Sequence, residues 1–306
     1  MTDTRERIPV TDKGSWLDLR RRDVTASQVA ALWGHHPYLT ALQLYHQKRG
    51  EDGQQGDNNS MKRGRWLEPA IMEAVKDQNP EWAPLIHKAT DYWRLPEQRI
   101  GSTPDCFIGE PGEPATGVLE LKSMLPEKFA TYGETAPLFH SLQVAVQMMT
   151  TNASWGTIAI LVMTRNLDLR LFAVPRIAAV EAKITADVAS FWDAVERGEP
   201  PKPVLPQDYE TLIRMFPKDD GSSLDLNGDN ELPILLAERA SLKAATKRLA
   251  EIDTAIKAKL GSAATAFCSD WYLSYKAHER REFTVPAQTV RTLRIIPIKN
   301  GDDNGE

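Results

Sequence analysis

Between residues 91 and 201 the apolar residues change period in an order that few architectures accept. Three short runs come first, DYWRLP, CFIGE and GVLELKS, each of strand length and bounded by turn residues. LFHSLQVAVQMMTTN then sets Leu142, Val146 and Met149 on one side of a helix, and WGTIAILVMTR with LDLRLFAVPR reads as a strand pair. IAAVEAKITADVASFWDAVERGEPP closes the series as an amphipathic helix stopped by Gly198 and two prolines. This order predicts an α/β fold with a central mixed sheet flanked by helices.

On the N-terminal side, SWLDLRRRDVTASQVAALWG predicts a helix and then a second short helix, capped by Thr25 or Ser27 and ending at Gly34. TALQLYHQKRG predicts another helix to Gly50, and EDGQQGDNNSM a polar loop. In KRGRWLEPAIMEAVKDQ, Leu67, Ile71 and Val75 recur at four-residue spacing, Glu68 lies one position off that stripe, and Pro69 marks where the helix proper is expected to start.

These elements give a first domain over 1–198, a Pro-, Asp-, Gly- and Ser-rich linker over 199–233 and an α+β appendage over 234–306. In the appendage Leu235, Leu242, Leu249 and Ile256 recur every seven residues, with Ala245 and Ile252 between them, up to Gly261. Glu238 and Lys259 interrupt the intermediate positions, so both a coiled coil and a helix packed on its own domain fit. FCSDWYLSYKAHERREFTV and RTLRIIPI read as strands, and KNGDDNGE as a frayed end.

No apolar run reaches the roughly 20 residues that span a bilayer, and the polar start MTDTRERIPVTDKG does not resemble a leader, so a cytoplasmic protein without membrane contact is expected. The two cysteines, Cys106 and Cys268, are too few and too far apart for a disulfide framework or a CxxC zinc site. His35 and His36 stand in a loop before Pro37, and there is no HExxH. The net charge of -5 does not decide whether the chain binds nucleic acid, because binding depends on local patches.

STPDCFIGEPGEPATGVLELKS, residues 102 to 123, carries the chemistry. Hydrolysis of a phosphodiester needs an activated water and charge stabilisation on the phosphoryl oxygens, and magnesium with carboxylate and carbonyl ligands supplies both. Asp105 at a turn and Glu120 on a strand fit as ligands of one ion, with the Leu121 carbonyl beside them. Residues 120 and 122 share a strand face, so Lys122 stands next to Glu120, where an ammonium holds water or neutralises developing charge. The same residues also fit a turn-capping aspartate and an exposed strand pair worth less than about 1 kcal/mol.

Four blocks stand in a fixed order: WLDLRRRDVTAS, GHHPYLTALQLYHQKRG, RGRWLEP, and the series PD, ELK and QV. Together, over about residues 15–197, they resemble the phage lambda exonuclease and YqaJ-type viral recombinase family of the PD-(D/E)xK nuclease superfamily. The resemblance implies a restriction-endonuclease-like core with a C-terminal helical/β appendage. It makes Asp105 and Glu120 metal ligands, Lys122 the catalytic lysine, and Glu68 a ligand of a second ion or a water. Arg20 and Ser27 match the residues that hold a terminal 5′-phosphate, although Arg20 to Arg22 also fit a solvated basic face. Where the family often shows QVQ this chain has QVAVQ, so Gln143 matches, Ala145 replaces the second glutamine, and Gln147 faces the same side one turn on.

The implied activity is a magnesium-dependent exonuclease, with manganese substituting and two ions per site. It would digest the 5′-ended strand of linear duplex DNA to 5′-mononucleotides and leave 3′ tails for single-strand annealing recombination. The implied partners are double-stranded DNA ends, a single-strand annealing protein and further copies of the chain in a trimeric ring. The alternative is a catalytically inactive nuclease-like module that binds DNA ends or a recombination partner. A Cas4-like iron–sulfur nuclease needs four cysteine ligands and is excluded by two.

Overall fold

The computed structural model describes residues 5–51, 59–110, 116–219, 221, 223, 225–268 and 271–277. Two compact units divide it, Met1–Leu212 and Ile213–Glu306. The first opens with β1 (Glu6–Pro9), α1 (Lys13–Arg22), β2 (Val24–Thr25), a 3-10 turn over Val29–Trp33, α2 (Ala41–Arg49) and α3 (Asn59–Gln78). Short strands β3 (Ile86–Lys88), β4 (Asp91–Leu95), β5 (Ile100–Ser102) and β6 (Cys106–Ile108) lead to β7 (Gly117–Met124). Then follow α4 (Pro126–Ala130), α5 (Leu138–Thr151), β8 (Trp155–Met163), β9 (Leu167–Pro175), α6 (Ala178–Arg197) and α7 (Tyr209–Met215), which runs past the division.

The expected mixed α/β architecture is present, but its strands form two sheets. The central sheet has the order β3-β6-β7-β8-β9, antiparallel except for the parallel β7–β8 pair that α5 connects. DYWRLP, one of the three expected strands, lies outside the central sheet and forms β4 in a four-stranded sheet of order β1-β4-β5-β2. The central sheet is covered on both faces. Val118, Ile158, Ile160 and Val162 pack with α5 and α6, whereas Leu119, Leu121 and Ala159 pack with Ile71 and Val75 of α3. Period-2 alternation along β7 therefore puts Glu120 and Val118 on the α5 side. At Gly156 the backbone of β8 comes so close to α5 that a β-carbon would lie 2.3 Å from Cγ1 of Val144.

Three local expectations change. Thr25 and Ser27 cap no helix: Asp12 caps α1 through the Ser15 N–H at 2.9 Å, and Gln28 starts the 3-10 turn without a side-chain cap. Helix α3 begins at Asn59, ten residues before Pro69, so the proline stands in the helix interior, where packing of Ile71 and Val75 against the central sheet offsets its cost. The expected linker over 199–233 starts late, since Asp208 and Thr211 are buried in the first unit and Asp208 accepts a 2.5 Å bond from the Thr40 hydroxyl. Thr40 also caps α2 in a reciprocal box with Gln43, and Gly50 ends that helix in a left-handed conformation, as its sequence predicts.

The second unit contains α8 (Leu232–Leu260) and a hairpin of β10 (Thr265–Cys268) with β11 (Trp271–Ser274). The expected strand RTLRIIPI, the end KNGDDNGE and most of the loop EDGQQGDNNSM lie outside the described residues. No helix among the described residues is long and apolar enough to cross a membrane.

Candidate active site

Glu120 stands near the middle of β7 with 1% of its surface exposed, so the exposed-pair reading of Glu120 and Lys122 does not apply. A buried carboxylate has to be paired and hydrogen-bonded, and three side chains do this. Lys122 donates to Oε1, Gln143 Nε2 donates to Oε1 at 2.5 Å, and Gln147 Nε2 donates to Oε2 at 2.5 Å. Gln143 and Gln147 are one turn apart on α5, which lets two amides reach the two oxygens of one carboxylate. Gln147 is fully buried, and its contact is as close as that of Gln143, the better match to the family motif.

Asp105 lies on the turn between β5 and β6, the point where the two sheets meet. Its Oδ2 accepts a 2.8 Å bond from the Leu121 backbone N–H, which ties the turn to β7. Burial and the neighbouring Glu120 charge push the Asp105 carboxyl up, with Lys122 and the Leu121 N–H opposing. Burial also pushes Glu68 up, against the charges of Lys88 and Lys122. Lys122 is raised in spite of its burial, because Glu120 and Asp105 hold its proton. Glu68 forms a loose 3.9 Å pair with Lys88.

This set is short of positive charge and rich in hard oxygen donors, which is the environment a divalent cation relieves. Asp105, Glu120 and the Leu121 carbonyl suit such an ion. Glu68 does not join them: among the described residues no three carboxylate, histidine or cysteine side chains converge to hold one ion. The donors already on Glu120 mean that Lys122 or Gln143 must shift for Oε1 to accept a cation.

Next to Lys122 and Glu68 lies a cleft of about 530 Å³. Glu68, Leu121 and Lys122 line it together with Arg63, Arg65, Lys128, Tyr38, Tyr132 and His140. The sequence reading missed the latter residues, which come from four separated segments. His140 is 7% exposed and its Nδ1 has no partner, and burial with the Lys122 charge keeps the imidazole well below its usual range and therefore neutral.

The structure brings Arg20 and Ser27 together as a second cluster. Arg20 Nη2 donates to Ser27 Oγ at 3.2 Å, and its guanidinium lies 4.5 Å from the Trp16 ring. The Trp16 indole N–H donates to Thr103 Oγ1 at 3.1 Å, two residues before Asp105, so one side chain links the two clusters. Lys48 braces the arrangement from α2, donating to the Arg20 carbonyl at 2.7 Å, the Asp23 carbonyl at 2.6 Å and Gln28 Oε1 at 2.8 Å. Burial, reinforced by the Arg20 charge, lowers Lys48 to about 7, and burial also lowers Arg20. Lys48 was not anticipated as part of this cluster, although it stands in the LYHQKRG run.

Residues 15–154 match the family model of the YqaJ-like viral recombinase domain. Among solved structures, an alkaline exonuclease from Laribacter hongkongensis is 18% identical with a TM-score of 0.48, covering 67% of this chain and 100% of that one. The same enzyme in complex with dAMP gives 20% identity and a TM-score of 0.49, with coverages of 66% and 97%. A phage-related exonuclease from Haemophilus somnus is 12% identical with a TM-score of 0.43, covering 60% of this chain and 97% of that one. No curated protein matches the chain by sequence.

Proposed function

We propose that this protein, whose residues 15–154 match the YqaJ-like viral recombinase domain, is a metal-dependent exonuclease acting on linear duplex DNA from 5′ ends. The observation that carries the reading is the buried Glu120, gripped by Lys122, Gln143 and Gln147, with Lys122 itself lining a cleft that also holds Arg63, Arg65 and Lys128. A fold has no structural need for such a carboxylate, and replacing a buried ion pair by apolar residues is often neutral or stabilising.

Magnesium, or manganese in its place, held by Asp105, Glu120 and the Leu121 carbonyl, would activate water and neutralise the phosphoryl oxygens; a second ion would draw on Glu68. The chain's own residues supply position and charge. Lys122 holds the attacking water and stabilises the charge that develops on the phosphate. Gln143 and Gln147 fix the Glu120 carboxylate so that it does not reorient during the reaction. Water attacks phosphorus, the bond to the 3′-oxygen breaks, and that oxygen takes a proton and leaves with the terminal mononucleotide. The shortened strand now carries the phosphate at its new 5′ end. Arg20 and Ser27 hold that end, so each turnover regenerates the ligand for the next. The 3′ tail left behind is a substrate for a single-strand annealing protein, and a ring of three chains would give an acidic protein a basic inner surface.

The inactive end-binding module keeps one observation in its favour: both Glu120 oxygens are already engaged by side-chain donors. Linear duplex DNA labelled at its 5′ ends, phosphorylated or not, separates the readings when incubated with magnesium or EDTA. We expect mononucleotides only with magnesium, faster from phosphorylated ends, and none from Lys122→Ala. DNA that is bound and never shortened by the wild type would establish the binding module.

A further inference from the structure

Among the described residues of the second unit, nothing buries an apolar stripe along α8. Leu235, Leu242 and Leu249 are 50%, 60% and 58% exposed, and Ile252 and Ile256 on the same side are 42% and 38% exposed. Helix α8 buries no residue along its 29 positions. At about 1.5 Å per residue it is roughly 43 Å long, and helices in proteins draw most of their stability from packing an apolar face. The seven-residue recurrence is the spacing at which two helices cover each other's stripe.

The charges within the stripe choose the partner and its direction. With Leu235 and its heptad repeats as one core position, the other core position holds Glu238, Ala245, Ile252 and Lys259. Two copies side by side in parallel would stack Glu238 on Glu238 and Lys259 on Lys259, a like-charge layer at each end. Two antiparallel copies, related by a two-fold axis near residue 247, place Glu238 within a turn of Lys259 of the second copy at both ends. The same register sets Leu242 against Ile252 of the second copy, Leu249 against its Ala245, and Arg239 beside its Asp253. The one unfavourable approach is Arg248 to Arg248 of the second copy across the axis. Each of these arginines is already paired with Glu251 of its own helix at 3.2 Å.

We propose that α8 is a self-association surface, and that its exposed heptad stripe pairs antiparallel with α8 of a second copy of this chain. The pairing is isologous and closes after two chains at this surface. It is independent of the chemistry in the first unit and would double whatever assembly that unit forms.

Sedimentation equilibrium of the full chain tests it. Leu242→Glu with Leu249→Glu should halve the number of chains per particle, while circular dichroism and duplex-DNA binding report that the rest of the protein is folded. Direction is tested by charge exchange. Glu238→Lys alone should weaken the association roughly tenfold, given two ends at up to about 1 kcal/mol each, and Glu238→Lys with Lys259→Glu should restore it. A parallel pair would show no rescue, because each exchange merely swaps one like-charge layer for another. An unchanged particle mass for the leucine variant, or a failure of the double exchange to restore association, overturns the proposal.

Discussion

The two polar clusters of the first unit are built on opposite signs. Around Glu120 the carboxyls of Asp105 and Glu68 are pushed up, so the site resists carrying the negative charge its side chains would bring. Around Arg20 the cations are pushed down, and Arg20 and Lys48 resist carrying their positive charge. Each cluster would be relieved by the ion that the other repels. On the proposed function, a cation among the acids and a phosphate beside the arginine would be the two ends of one substrate complex, with Trp16, which bonds Thr103 and stacks on Arg20, connecting the clusters.

The largest expected effect tests the acidic side. Glu120→Gln keeps the shape and removes the charge that Lys122, Gln143 and Gln147 are arranged around. Cleavage should fall by about 10²–10³-fold or more, the cost of losing one preorganised electrostatic group, with end binding preserved. A variant that cleaves normally but no longer prefers phosphorylated ends would break the assignment of the two clusters.

The basic side comes next. Arg20→Ala removes the fork next to Ser27, and charge-assisted hydrogen bonds contribute about 1.5–3 kcal/mol, so cleavage of 5′-phosphorylated ends should slow by roughly 10- to 100-fold. Ends bearing a 5′-hydroxyl should be nearly unaffected. An equal loss on both substrates, measured as initial rates, would show that Arg20 supports the fold and not the phosphate.

Legibility in the sequence followed the length of the pattern. The nine-residue β8 and β9 and the ELK alternation on β7 are long or regular enough to predict both face and neighbour, whereas the heptads of α8 predict the helix and leave its neighbour open. The sheet holding β1, β2 and β5 was invisible because strands of two to four residues carry no period, and it is this sheet that sets Arg20 and Ser27 beside the turn leading to Asp105. Gln147 was readable as the i+4 mate of Gln143. Lys48 and the cleft walls were not, since their roles depend on carbonyls and side chains brought together from distant segments. Pro69 misled because a rule about helix starts was applied to a helix strong enough to absorb it.

Gln147 stands between Glu120 and the core of the fold, and it sharpens the comparison by separating positioning from stability. Gln147→Leu leaves one Glu120 oxygen buried without its amide donor, at a cost of about 1–3 kcal/mol in a urea melt. Its effect on cleavage should be a lowered kcat with little change in KM, since the amide touches Glu120 and not DNA. Gln147→Glu should be worse than Gln147→Leu in both readouts, because it adds a carboxylate to a site already short of positive charge. Equal stability of wild type and Gln147→Leu would mean that the amide contact contributes nothing to holding Glu120.

The smallest effect concerns His140, which is neutral in the folded protein beside Lys122 and His36. The unfolded chain takes up a proton at this residue near pH 6.5 and the folded chain does so only at much lower pH. Between those values the unfolded state binds more protons, so the His140 contribution to stability is complete above about pH 6.5 and is lost as pH falls, by roughly 1.4 kcal/mol per unit. The raised carboxyls of Asp105 and Glu68 act in the opposite direction, because the folded state then binds the extra proton. They are common to wild type and His140→Gln, so they cancel in the difference between the two proteins. Urea midpoints at pH 7.5 and 5.5 should therefore converge on acidification, with wild type losing about 1 kcal/mol more than the variant. Parallel losses would mean that the imidazole reaches solvent and protonates in place, and that the cleft admits water as far as α5.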